Sequence, residues 1–195
     1  MKEVLVIIAH PDDELIWMGG MLLRHKDKWN ITVISLTRRS DRDRNPKFKK
    51  ACKMLGVKGV LFDLNDKSPF KPIPLDKIIK TIESAVKSKK DYDYVFTHGA
   101  NGEYGHIRHK EVHKAVNRMI KQGKLKCKNL FYFSYLKREN NYQGYCIPNL
   151  KTNNFIKLKN KELNIKKNII TKVYGYQRGG FEEKSSEKIE SFKKT

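Results

Sequence analysis

Val4-Leu-Val-Ile-Ile-Ala9, running straight into His10-Pro-Asp-Asp-Glu14, is the stretch on which the reading of this chain turns. A continuous, β-branched apolar run is the pattern of a strand covered on both faces. The polar residues that end it begin a helix, with Pro at the first helical position and acids in the first turn. Asp12 to Lys26 continues that helix, with Leu15, Met18 and Leu22 at helical spacing. Gly19-Gly20 costs roughly 1 kcal/mol per glycine inside a helix, so the pair predicts close packing against a neighbour.

The same alternation runs outward from there. Ile31–Leu36 reads as a second strand, and Phe48, Ala51, Cys52 and Leu55 mark a second helix. Gly56 falls where a left-handed carboxyl-terminal cap belongs. Val60–Leu64 is a third strand; Pro72 and Pro74 then precede an amphipathic helix bearing Leu75, Ile78, Ile79, Ile82, Ala85 and Val86. Tyr94–Thr97 is a fourth strand, Gly105 to Gln122 a helix and Asn129–Phe133 a fifth strand. Strands spaced by helices predict an α/β fold, three-layered and Rossmann-like, with a mainly parallel sheet, helices on both faces and right-handed crossovers. Beyond residue 140 a Lys/Asn-rich stretch predicts an edge hairpin and then a final helix or tail. No internal repeat or second-domain boundary is visible, so residues 1–195 are expected to form a single domain.

The 195 residues suffice to bury a core without disulfide staples. Charged residues make up 32% and mean hydropathy is −0.69, and no apolar run approaches the roughly 20 residues of a membrane-spanning helix. The amino terminus lacks the apolar core and cleavage site of a signal peptide. Cys52, Cys127 and Cys146 are an odd number with no C-x-x-C, which points to a reducing compartment and a cytoplasmic location. Forty-two basic against 21 acidic residues give a net charge of +21. An anionic partner would explain that charge, and so would coding bias, since Lys is joined by abundant Asn and Ile. Lys114, Arg118, Lys121, Lys124, Lys126 and Lys128 cluster locally, but no nucleic-acid-binding motif accompanies them, and no specific nucleic-acid partner is expected.

Ligands of such sheets collect at the carboxyl ends of the strands, and two polar clusters fall there. In the first, His10 ends a strand and Asp13 follows three residues later, a spacing that can aim an imidazole and a carboxylate at one point. Both suit Zn²⁺, and catalytic zinc sites typically combine three protein ligands with a water. Asp12, pointed differently, is left as a proton acceptor. In the second, His98, His106, His109 and His113 put four of the chain's six histidines within sixteen residues. On a helix, positions 106, 109 and 113 share one side. Gly99, Gly102 and Gly105 allow the backbone shapes a ligand-wrapping loop needs.

Ala9-His-Pro-Asp-Asp-Glu14 combined with Gly105-His-Ile-Arg-His109 resembles the PIG-L/LmbE-like family of zinc-dependent N-acetylglucosaminyl deacetylases. The Arg-rich segment Thr37–Arg44, Ala51 with Leu55-Gly56, and a carboxyl-terminal region with Tyr176-Gln177 and Phe181-Glu182 are also similar. Residues 1–135 match well and residues 136–195 weakly. The resemblance implies His10, Asp13 and His109 as ligands of Zn²⁺ or another divalent transition metal. It implies Asp12 as general base, His106 as the residue that stabilises or protonates the tetrahedral species, and Tyr104 as a polariser of the substrate carbonyl. Two departures stand out: Lys47 occupies a place where relatives often carry an acid, and Asn101-Gly-Glu-Tyr104 marks no one subfamily. Arg42 and Arg44 either offer bidentate contacts to a substrate phosphate or carboxylate or belong to a solvated surface. His98 either orients its loop or touches substrate, and His113 reads as structural.

The implied activity is hydrolysis of an N-acetyl group on a small, lipid-linked or nucleotide-linked GlcNAc-containing molecule. The competing reading is a basic anion- or nucleic-acid-binding protein with a structural or vestigial metal site. A structural zinc site tends to be closed by four Cys or His ligands, whereas here acid–base residues stand beside the candidate ligands and no Cys lies near them in sequence. The oligomeric state and the aglycone are not encoded in any pattern found.

Overall fold

β1 (Lys2–Ile8) shows why the fold takes its shape. Val4, Val6 and Ile8 point into one buried layer, and Leu5, Ile7 and then Ala9 into the other. The computed structural model describes residues 1–86, 91–138, 144–152 and 154–195. α1 (Asp13–His25), β2 (Trp29–Thr37), α2 (Arg44–Leu55), β3 (Lys58–Leu64), α3 (Leu75–Glu83) and β4 (Asp91–Thr97) follow in the expected alternation. The short turn α4 (Gly102–Gly105), α5 (Ile107–Lys121) and β5 (Lys126–Phe133) complete it. β1 to β5 pair in parallel. Leu15, Trp17 and Leu22 of α1 and Phe48 and Leu55 of α2 fill one layer, while Ile78, Ile79 and Ile82 of α3 and Val112, Val116 and Met119 of α5 fill the other. Gly56 caps α2 at φ 70°, as its position in the sequence predicts.

The carboxyl-terminal third departs from expectation. β6 (Tyr135–Arg138) and β7 (Tyr145–Pro148) pair as a ribbon apart from the main sheet; the turn of the expected hairpin, residues 139–143, lies outside the described residues. β8 (Asn154–Lys157) is the edge strand, followed by α6 (Asn160–Asn168), a π-helical turn (Ile169–Val173) and α7 (Phe181–Ser185). The last element is β9 (Ile189–Lys194), a strand rather than a helix or tail. It lies antiparallel between β5 and β8, giving the order β3-β2-β1-β4-β5-β9-β8. Its buried residues are Glu190, Ser191 and Phe192, and two polar residues out of three erase the apolar signal of a strand.

Those polar residues have partners. α1 is kinked at Met18 (φ −148°, ψ 18°). At the kink the N–H groups of Gly20 and Met21 donate to the two carboxylate oxygens of Glu190, each at 2.7 Å. Lys166 of α6 donates to the same carboxylate at 2.7 Å, and both side chains are fully buried. A Cβ at Gly20 would overlap Leu158 Cδ2, and one at Gly19 would stand 2.8 Å from Leu15 Cδ1. Close packing therefore does explain the glycine pair.

Candidate active site

The strand order reverses between β1 and β4, and a crevice opens beyond their carboxyl ends. His10 leaves β1 there, His98 follows β4 directly, and α1 begins at Asp13. The loop after β3 closes another side. Arg108, almost wholly buried, donates to the carbonyls of Asn65 (2.9 Å) and Lys71 (2.8 Å), fixing the loop after β3 that carries Asp66 and Phe70. The result is a cavity of about 460 Å³ lined by His10, Asp12, Asp13, Arg44, Tyr104 and His106 among others.

Two imidazole nitrogens and the two oxygens of one carboxylate come together beside the cavity. His10 Nδ1 lies 3.2 Å from His109 Nε2 and 3.3 Å from Asp13 Oδ2, and His109 Nε2 lies 3.4 Å from Asp13 Oδ1. Ligands about 2.0–2.1 Å from a tetrahedral zinc stand about 3.3 Å from one another, so the spacing and the two-imidazole, one-carboxylate chemistry fit such an ion. The other ring nitrogen of each histidine is engaged, and both Asp13 oxygens accept hydrogen bonds as well. His10 Nε2 meets Asp66 Oδ1 at 3.2 Å, and Asp66 is held from behind by Arg38 at 2.8 Å. His109 Nδ1 meets Glu103 Oε2 at 2.5 Å. Asp13 accepts from the His10 N–H at 2.8 Å and from Trp17 Nε1 at 2.9 Å. Backing carboxylates of this kind orient metal-binding imidazoles and raise their basicity.

Asp12 stands beside this set with a different environment. Its backbone has φ 127°, a strained conformation for a residue with a side chain. Tyr176 donates to Oδ2, and Arg44 lies 3.5 Å from the same oxygen. Burial, then the charge of Asp13, pushes the Asp12 carboxyl up to about 7, against the pull of Tyr176, His10 and Arg44. Glu14, wholly buried, is pushed up to about 8 by burial and then by Asp12.

The remaining expected residues divide. His106 is the residue at which α5 starts rather than a member of its face, since its ψ of 129° is extended. Its Nδ1 accepts from the Arg108 N–H at 3.2 Å, which puts the proton of a neutral ring on Nε2. Burial, then the neighbouring His10 and His109, lowers it to about 4, which favours the neutral ring. Tyr104 lines the cavity and packs edge-on against His106 and His109. His98 is fully buried: its Nε2 accepts from the Ala9 N–H at 3.0 Å and its Nδ1 meets Glu103 at 2.8 Å. Both ring nitrogens of His98 therefore face protein groups, and its Nε2 also lies 3.4 Å from Asp13 Oδ2. Arg42 is exposed and lies off the cavity lining, unlike Arg44. Lys47 pairs with Asp43 at 2.8 Å. His113 donates to the His98 carbonyl at 2.9 Å, a structural contact.

Sequence reasoning missed Trp17, Asp66 and Glu103. Asp66 sits two residues beyond β3, where the rule about strand ends that found His10 and His98 applies equally. Glu103 reaches both histidines only because φ 56° turns its backbone back on itself, for which the sequence offers no sign beyond the glycines around it.

A family model described as PIG-L: GlcNAc-PI de-N-acetylase matches residues 5–120, more than half of the chain, including every residue of the donor set. The chain belongs to the PIG-L family. An uncharacterized protein of Acanthamoeba polyphaga mimivirus is 28% identical over 128 residues, covering 58% of this chain; the match spans 56% of that relative's length. Among solved structures, the N,N'-diacetylchitobiose deacetylase of Pyrococcus horikoshii aligns with a TM-score of 0.71 at 16% identity, over 100% of this chain and 84% of its own. The 4-carboxy-2-hydroxymuconate hydratase of Pseudomonas putida aligns at 0.66 and 17% identity, over 95% and 83%. A deacetylase of teicoplanin biosynthesis aligns at 0.63 and 14% identity, over 88% and 84%. A deacetylase and a hydratase on one backbone plan mean that the fold of the PIG-L family leaves the reaction to the site. Among the described residues no helix is long and apolar enough to cross a membrane.

Proposed function

We propose that this chain is a zinc-dependent hydrolase that removes the N-acetyl group of a GlcNAc-containing substrate, releasing acetate and a free amino sugar. The observation that carries the reading is the donor triangle of His10, Asp13 and His109 beside a strained Asp12, inside the segment that matches the family. A bound divalent cation supplies a Lewis acid for the amide oxygen and makes water more acidic. Asp12 takes the proton of the attacking water through Oδ1, the oxygen that none of its hydrogen bonds engages among the described residues. His106 Nε2–H and the Tyr104 hydroxyl donate to the oxygen on which negative charge develops. The protonated Asp12 then returns its proton to the leaving nitrogen, so the base of the first step is the acid of the second.

Asp12, His106 and Tyr104 beside the donor set favour this reading over a binding protein with a structural or vestigial metal site. Arg44 is the residue placed to meet an anionic aglycone, whether the amino sugar is free, lipid-linked or nucleotide-linked. β8 and β9 extend the sheet built by residues 1–135, which supports reading residues 1–195 as one domain. Three free cysteines accord with a reducing, cytoplasmic setting.

The test is acetate release from GlcNAc, chitobiose, GlcNAc-inositol, GlcNAc-malate and UDP-GlcNAc, before and after chelation and after Zn²⁺ is restored. Release from at least one, lost on chelation and regained with Zn²⁺, is the expected result. Release that survives complete removal of metal would overturn the metal-dependent mechanism.

A further inference from the structure

Asp12 is held from both ends by one short piece of chain far away in sequence. Its side chain accepts from the hydroxyl of Tyr176. Its main-chain N–H donates to Glu14 Oε2 at 2.9 Å, and Glu14 Oε1 in turn accepts from the hydroxyl of Tyr174 at 2.8 Å. The segment is Tyr174-Gly175-Tyr176, directly after the π-helical turn Ile169–Val173, and Gly175 has φ 80°. That left-handed residue separates two tyrosines that both face α1, their rings 6.0 Å apart and near parallel. Ile169 and Ile170 anchor the segment in the core layer that also holds Leu15 and Trp17.

We infer that Tyr174-Gly175-Tyr176 is a clamp that positions Asp12 for proton transfer, with Tyr176 setting the carboxylate and Tyr174, through Glu14, the strained backbone. The inference rests on the hydrolase reading and extends it to residues beyond the segment that matches the family. A tyrosine hydroxyl has a single proton. Tyr176 gives it to Asp12 Oδ2 and accepts from Arg44, whose guanidinium also lies 4.6 Å from the centre of the Tyr176 ring. That chain of contacts selects which carboxylate oxygen is tied down and which is left for water. The backbone needs its own restraint, because a residue at φ 127° persists only where its surroundings over-determine it. A buried Glu14 shared between the Asp12 N–H and Tyr174 provides one. Neither tyrosine touches the donor triangle through any of these bonds. Both are positioning residues, and their loss should spare the metal.

Tyr176→Phe keeps the ring and removes only the hydroxyl. The expected result, on the best substrate of the acetate screen, is a fall in kcat of about 10-fold or more with KM changed by less than about 3-fold. Zinc content should match that of the unaltered protein. In an Asp12→Asn background the same change should cost nothing further, since a group acting through Asp12 has nothing left to act on. A Tyr176→Phe enzyme within about 2-fold of the parent, or an equal loss in both backgrounds, overturns the clamp while leaving the hydrolase reading intact. If the parent protein releases no acetate from any substrate, the hydrolase reading fails, and crystal structures of the zinc-loaded parent and Tyr176→Phe proteins decide the clamp alone. An Asp12 carboxylate displaced by about 1 Å or more, a shift large enough to matter for chemistry, supports it. An unmoved carboxylate refutes it.

Discussion

Two regions wall the same cavity by different means. Residues up to the end of α5 supply the candidate donor set: His10 just after β1, Asp13 at the start of α1 and His109 in the first turn of α5, of which only the His10–Asp13 spacing hints at a meeting. Residues beyond 154 supply no donor to that set. They act through single long reaches, with Glu190 against the kink of α1, Leu158 against Gly20, and Tyr174 and Tyr176 around Asp12. The first region makes a place for an ion. The second fixes the shape of the helix that carries Asp13, so chemistry and rigidity are separable by substitution.

Asp12→Ala probes the first region most sharply. Turnover should fall by about 10²–10⁴-fold, the usual contribution of a general base, with zinc retained. His109→Ala should lose zinc and turnover together, and metal analysis beside acetate release separates the two outcomes. Equal zinc loss in both variants would merge the roles that the geometry keeps apart. Glu190→Ala probes the second region. It strands a wholly buried Lys166 and two helical N–H groups, at a cost of about 3–5 kcal/mol in urea unfolding. Burial already disfavours the charged form of Lys166, and Glu190 is what opposes that. A cost below about 1 kcal/mol, the range of an exposed pair, would mean that the kink holds itself.

Glu103→Gln is expected to be milder and to fall on the first region. Removing the charge behind His109 and His98 should weaken zinc binding about 10–100-fold in competition with a chelator, with the fold kept. Gly20→Ala is smaller still. The added methyl forces Leu158 away and should cost about 1–3 kcal/mol by overpacking, with no change in zinc affinity. If it lowered zinc affinity as well, the two regions would be less separable than the contacts indicate.

The legibility of the sequence follows the same divide. The alternation of β1 to β5 with helices was readable because both faces of those strands are apolar, so composition and burial agree. The closeness of His10 and Asp13 was readable from their short spacing after β1, whereas His106 and His109 were given separate roles only by the family resemblance. His98 misled in part, since nothing local tells a histidine in the cavity from one buried behind it with both nitrogens engaged. β9 and its Glu190 were not readable, because their burial is bought by a lysine and a helix kink elsewhere in the chain. The tautomer of His106 was likewise invisible until its Nδ1 was seen to accept from the Arg108 N–H.

The place of β9 bears on how the molecule is made. On a ribosome, β1 to β5 emerge long before residues 189–194, and until then the far side of β5 offers an unpaired row of backbone donors and acceptors. Such an edge invites pairing with a neighbouring nascent chain, and the late strand is also the one that brings Glu190 to the first helix. Slow or interrupted synthesis before residues 189–194 should therefore yield aggregates rather than an almost finished fold.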